Sequence, residues 1–166
     1  MIWGMTTSTF TLVHVVLSLV GIGAGLIVMW GLLTGKRLEG WTAVFLASTV
    51  ATSVTGFGFP LHKFLPPHYV GVISLFVLAL ALVARYAFHL SGAWRWIYVV
   101  SAVIALYLNV FVAVVQAFQK VPALKAIAPT QTEPPFVIAQ LAVLVLFVVL
   151  AIVATIRFAP GRLRTA

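Results

Sequence analysis

The stretch FVIAQLAVLVLFVVLAIVATIRFA, residues 136–159, decides the fold. Its only polar side chains are Gln140, Thr155 and Arg157, and it is longer than the roughly 20 apolar residues needed to cross a bilayer core about 30 Å thick. Hydrocarbon offers a backbone no hydrogen-bond partner, so a run of this kind must satisfy its own amides as a helix. Working outward, four more such runs occupy residues 10–33, 41–60, 69–90 and 96–121. They are separated by TGKRLEG, LHKFLPPH, SGAWR and the proline-rich QKVPALKAIAPTQTEPPF. Strand-like alternation is absent. The expectation is an all-α polytopic membrane protein, a bundle of five transmembrane helices forming one domain over residues 1–166.

Composition agrees. Of 166 residues, 63% are hydrophobic and 7% charged, with a mean hydropathy of +1.20, whereas about a quarter of residues are charged in soluble domains. The formal charge of +8 comes from ten Lys and Arg against Glu39 and Glu133. Because the bases gather at the ends of apolar runs, they indicate membrane orientation and no nucleic-acid partner. No cysteine is present, which excludes disulfides and thiolate chemistry. The opening MIWGMTTSTF has no basic segment and no small-residue cleavage site follows, so the first run is expected to remain as a span.

With the N-terminus outside, Lys36, Arg37, Arg85, Arg95, Arg157, Arg162 and Arg164 fall inside, and Lys63, Lys120 and Lys125 fall outside. The excess of bases inside predicts an N-terminus outside (periplasmic in a bacterial inner, or cytoplasmic, membrane) and a cytoplasmic C-terminus. Arg85 and Arg157, inside their runs, are expected to snorkel to the inner headgroups.

Helix association in lipid relies on small residues and a few polar pairs. Gly21 and Gly25 form a GxxxG pair in the first run. Ala43, Ala47, Ala51 and Thr55 line the second, and Ser101, Ala105, Asn109, Ala113 and Ala117 line the fourth. These faces serve packing within one bundle or, through Gly21 and Gly25, a homo-oligomer interface. Asn109, near the midplane, reads as interhelical glue.

A polar layer is the one chemically varied constellation. Counted from the outer end, each run carries a polar residue four or five positions in: His14, Thr55, Ser74, Gln116 and Gln140. Polar side chains at membrane depth should turn into the bundle. They form either a closed hydrogen-bond network or an outward-facing ligand pocket, with His62 and Glu133 in the loops above. The proline-rich loop is then a plain linker or a roof over His14, Gln116 and Gln140. Haem b held by His14, paired with His62, is an alternative. A metal site from His14, His62, His68 and Glu133 has suitable ligand types without motif spacing. Proton-coupled transport is disfavoured because no carboxylate lies within a run.

The segment ALYLNVFVAVVQAFQKVPALKAIAPTQTEPPF, residues 105–136, together with TGFGFP at residues 55–60, resembles a group of small bacterial inner-membrane proteins that have no assigned function. The resemblance implies a bacterial inner-membrane setting and carries no activity. The functional expectation is binding or passage of a small molecule or lipid near the outer leaflet. Its alternatives are a haem redox protein and a structural subunit without a ligand.

Overall fold

The computed structural model describes residues 1–59 and 66–158. The described chain is helical, in the order α1 (Thr7–Thr34), α2 (Glu39–Gly56), α3 (Pro66–Leu82), α4 (Trp94–Lys120), α5 (Pro122–Ile127) and α6 (Pro134–Arg157). A π-helical segment, Val83–Ala87, continues α3. Four helical stretches are long and apolar enough to span a membrane: Thr7–Thr34, His68–Ala87, Trp94–Lys120 and Pro134–Arg157.

The second expected span does not join those four, for a physical reason. α2 has 18 residues, about 27 Å at helical rise, and it buries Thr42, Ser48, Thr49, Thr52 and Ser53 beside Phe45 and Leu46. Its apolar Trp41, Val44 and Val54 face outward. These hydroxyls, with Glu39, lower its hydropathy. The distribution also overturns half of the expected packing face: Ala43 and Ala47 are exposed, whereas Ala51 is half-buried and Thr55 bonds His14 on α1, and most of the packing falls to the hydroxyl stripe.

Helix ends follow local chemistry. Thr6 caps α1 by accepting from the Thr9 amide at 3.1 Å. At the other end Gly35 takes a left-handed conformation (φ 69°), and the Lys36 amide donates to Gly31 O at 2.8 Å, the bond of a Schellman stop. Before α1, the chain makes a tight reversal through Trp3 and Gly4, both at positive φ, with paired bonds between Ile2 and Met5. Trp3 then packs edge-on against Phe10.

α1, α2, α3 and α4 pack in a ring, each against the next and α4 against α1, while α6 leans on α4 and α1. Gly21 and Gly25 belong to this ring. A Cβ at Gly21 would lie 3.1 Å from Thr49 Oγ1 and Asn109 Nδ2, and one at Gly25 would lie 2.5 Å from Leu106 Cδ1 and 3.0 Å from the Phe45 ring. The face expected to mediate a homo-oligomer is therefore covered by the chain's own α2 and α4. Asn109 Nδ2 donates to Thr49 Oγ1 at 3.4 Å, which makes it interhelical glue as expected.

Arg85 does not snorkel. Its side chain is 5% exposed and pairs with Glu39, whose own side chain is 68% exposed, while the guanidinium sits over the Tyr98 and Tyr86 rings at 5.3 and 5.8 Å. Desolvation makes an ammonium or guanidinium seek its own partner inside a bundle, and Glu39 at the start of α2 supplies it.

Candidate functional site

The site begins with the spacing of hydroxyls in α2. Ser and Thr within a helix commonly donate to the carbonyl one turn back, and here Ser48 bonds Val44 O at 2.6 Å, Thr52 bonds Ser48 O at 2.8 Å and Thr55 bonds Ala51 O at 2.7 Å. Each hydroxyl thereby spends its hydrogen and keeps its lone pairs. Ser48, Thr52 and Thr55 recur at helical intervals, so α2 presents accepting oxygens to its neighbours.

Three helices answer that stripe. His14 Nδ1 on α1 lies 2.8 Å from Thr55 Oγ1, Ser74 Oγ on α3 lies 3.0 Å from Ser53 Oγ, and Asn109 on α4 meets Thr49. Between them lies a cavity of about 110 Å³. Its polar lining is His14, Ser18, Thr52, Ser53, His68, Ser74 and Asn109, drawn from all four ring helices. Phe57, Leu108 and Val112 complete the wall on the apolar side. The volume exceeds the share of liquid volume taken by one water, about 30 Å³, so the space holds a few waters or one small solute.

The expected site residues divide accordingly. His14 and Ser74 line the cavity, and Thr55 holds His14 from behind. Gln116 is exposed on α4 and is not among the described lining residues of the cavity. Gln140 donates to Phe111 O at 3.2 Å across the α4–α6 seam, away from the cavity, and its Oε1 is buried without a partner. His62 lies outside the described residues. Glu133 stands at the start of α6, where Oε1 accepts from the Thr130 amide (3.1 Å) and hydroxyl (2.8 Å) and Oε2 from the Thr132 amide (3.1 Å). It serves the loop and not the cavity.

The loop itself is partly helical, because Pro122 opens α5 and Pro134 opens α6, the positions where a missing N–H costs nothing. Gln131 donates to Val115 O at 3.1 Å, and Ala128 is fully buried, so the loop folds against the C-terminal end of α4. None of the described cavity-lining residues comes from it, which overturns the expected roof over His14, Gln116 and Gln140. Sequence reasoning missed Ser18, Thr52 and Ser53. The signal was present in the three- and four-residue spacing of hydroxyls through Ser48, Thr49, Thr52, Ser53 and Thr55, but hydroxyls are common enough in helices to pass as neutral.

Glu133 gives a pH dependence outside the membrane. Desolvation pushes its carboxyl up, but the bonds from the Thr130 hydroxyl and from the Thr130 and Thr132 amides outweigh this and hold it below its ordinary value. A depressed carboxylate contributes order that is complete above its unfolded pKa and disappears as pH falls through the lowered folded value. Amide exchange at Thr130 and Thr132, corrected for intrinsic rates, should therefore accelerate in that acidic window. Glu133→Gln should remove the pH dependence while keeping the backbone trace.

Two cofactor readings can be weighed on this geometry. Among the described residues no group of three His, Asp or Glu side chains could hold a metal ion. Haem does not fit the cavity for want of space: about 110 Å³ falls below the roughly 300 Å³ at which cofactor pockets begin. Set against protein-family models, curated proteins and solved structures, the chain matches none.

Proposed function

We propose that the chain is a five-span protein of a bacterial inner membrane, N-terminus outside, that binds or passes a small molecule in the α1–α4 cavity near the outer leaflet. The observation that carries this reading is the cavity's lining. Seven hydrogen-bonding side chains from the four ring helices converge on one space of about 110 Å³. Polar side chains are costly at membrane depth, and a bundle that needed only cohesion would close them on one another. Lys36, Arg37 and Arg85 gather at the opposite end of the ring, which favours placing that end inside. The fifth span is α2, whose hydroxyl face turns to the cavity while its apolar face meets lipid.

The absence of native cysteine makes labelling a direct test. Single cysteines at Ser53 and Ser74 should react with a small, membrane-impermeant thiol reagent added outside intact cells, because thiolate formation needs water in the cavity. A cysteine at Val149, on the exposed flank of α6, should stay unreacted in lipid. If both cavity positions resist the reagent while the protein remains folded, the space is a closed packing defect, and a structural subunit is the better reading.

A further inference from the structure

The hydrogen-bond ledger of Thr55 fixes the tautomer of His14, and through it the chemistry of the ligand. Thr55 Oγ1 has one hydrogen. Ala51 O lies 2.7 Å away and Thr52 O lies 3.1 Å away, and a carbonyl can only accept. The hydroxyl hydrogen is therefore committed to the helix backbone. The contact between His14 Nδ1 and Thr55 Oγ1, at 2.8 Å, must then run from the imidazole, with Nδ1–H donating. In a neutral ring the other nitrogen is an acceptor. Nε2 of His14 thus keeps its lone pair, and among the described residues no hydrogen bond reaches it.

Other lining residues also keep accepting atoms. Thr52 has given its hydrogen to Ser48 O, and Asn109 has turned Nδ2 to Thr49, keeping Oδ1. Ser53 and Ser74 use one of their two hydroxyl hydrogens on each other, and both oxygens keep a lone pair. No Lys, Arg, Asp or Glu is among the described lining residues. A basic imidazole nitrogen is the strongest acceptor in this set, and leaving it unmatched in a membrane interior carries a desolvation cost.

We infer that the cavity selects a small hydrogen-bond donor, an alcohol or an amine of a few heavy atoms, whose O–H or N–H meets Nε2 of His14. This rests on the cavity reading above and adds to it the polarity of the ligand. Thr55 acts as a positioning residue, because it sets which nitrogen faces the ligand without needing to touch it.

Histidine labelled with nitrogen-15, in protein reconstituted in lipid, tests the inference directly, with the His14 signals assigned by their loss in His14→Phe. At neutral pH the ring should show a protonated Nδ1 and an unprotonated Nε2. Methanol and methylammonium, the donor probes, should move the Nε2 signal and bind about tenfold more tightly than acetonitrile and dimethyl sulfoxide, which only accept; that ratio corresponds to about 1.4 kcal/mol. Thr55→Val should release the ring to the Nε2–H form and abolish the preference for donors. A protonated Nε2 in the unaltered protein, or tighter binding of the acceptor-only probes, overturns the inference and leaves a ligand cavity standing. Silence toward all four probes removes the cavity function as well.

Discussion

Gly25→Ala should lower stability by about 1–3 kcal/mol, the usual cost of forcing an extra methyl group into a packed core. The new Cβ would stand 2.5 Å from Leu106 Cδ1 and 3.0 Å from two atoms of the Phe45 ring. Leu106 and Phe45 are both fully buried, so neither has free space to retreat into. α1 would have to move away from α2 and α4 together, and the polar contacts beside Gly21 would stretch with it. Gly25→Leu should prevent the ring from closing. Gly23→Ala is the matched control: nothing lies within 4 Å of its Cβ position, and alanine is the better helix former, so that variant should be neutral or slightly stabilised. Thermal unfolding in a mild detergent compares the three proteins. A Gly25→Ala variant as stable as Gly23→Ala would mean that the close approach of α1 to its neighbours is not what holds the bundle.

Glu39→Ala should cost about 1–3 kcal/mol, and Arg85→Met clearly less, although the two substitutions break the same ion pair. The asymmetry comes from where each partner sits. Arg85 is enclosed by Tyr98, Tyr86 and the end of α1, and its Nε is already without a partner, so removal of Glu39 strands a charge inside the bundle. Glu39 is largely exposed and can be solvated at the membrane surface once Arg85 is gone. Methionine fills much of the arginine's aliphatic volume, and replacing a buried ion by an apolar side chain of similar size is often neutral. Unfolding of both variants and of the double variant measures this order. If Arg85→Met is the more damaging of the two, the arginine acts through packing and not as a charge that Glu39 compensates.

The two predictions draw on residues of very different legibility. Apolar length and the bilayer thickness were sufficient to locate the helices, and Gly21 and Gly25 announced a close approach by their spacing alone. What covers that face could not be read, because depth along a helix is countable while rotation about its axis is set by every neighbour at once. Gln116 shows the limit. It lies at the same depth as His14 and Ser74, two turns beyond Asn109 on the same stripe, yet it is exposed. α2 shows the converse: its alanines looked like the packing face and its hydroxyls like neutral filler, and the structure largely reverses them. Arg85 looked like a snorkelling residue because its partner, Glu39, is 46 residues away in the chain.

The π-helical segment at Val83–Ala87 changes the reading frame of α3. A turn closed between residues five apart, as the Phe88 amide does on Val83 O at 3.1 Å, holds one residue more than an α turn, and one residue is worth about 100° of rotation. Up to that point the inward stripe runs through Ser74, Leu78, Ala81 and Arg85, and an unbroken α-helix would carry it on to position 88. Instead Phe88 is 43% exposed and stacks flat on Trp94 at 3.9 Å, and Leu90 takes the buried place. The segment is the last turn before the helix ends: Phe88 caps it, His89 and Leu90 follow at positive φ (50° and 59°), and this reversal, not a continued helix face, folds the connection to α4 back on itself. Deleting a single residue from it would move the helix end and draw the connected ends of α3 and α4 out of register.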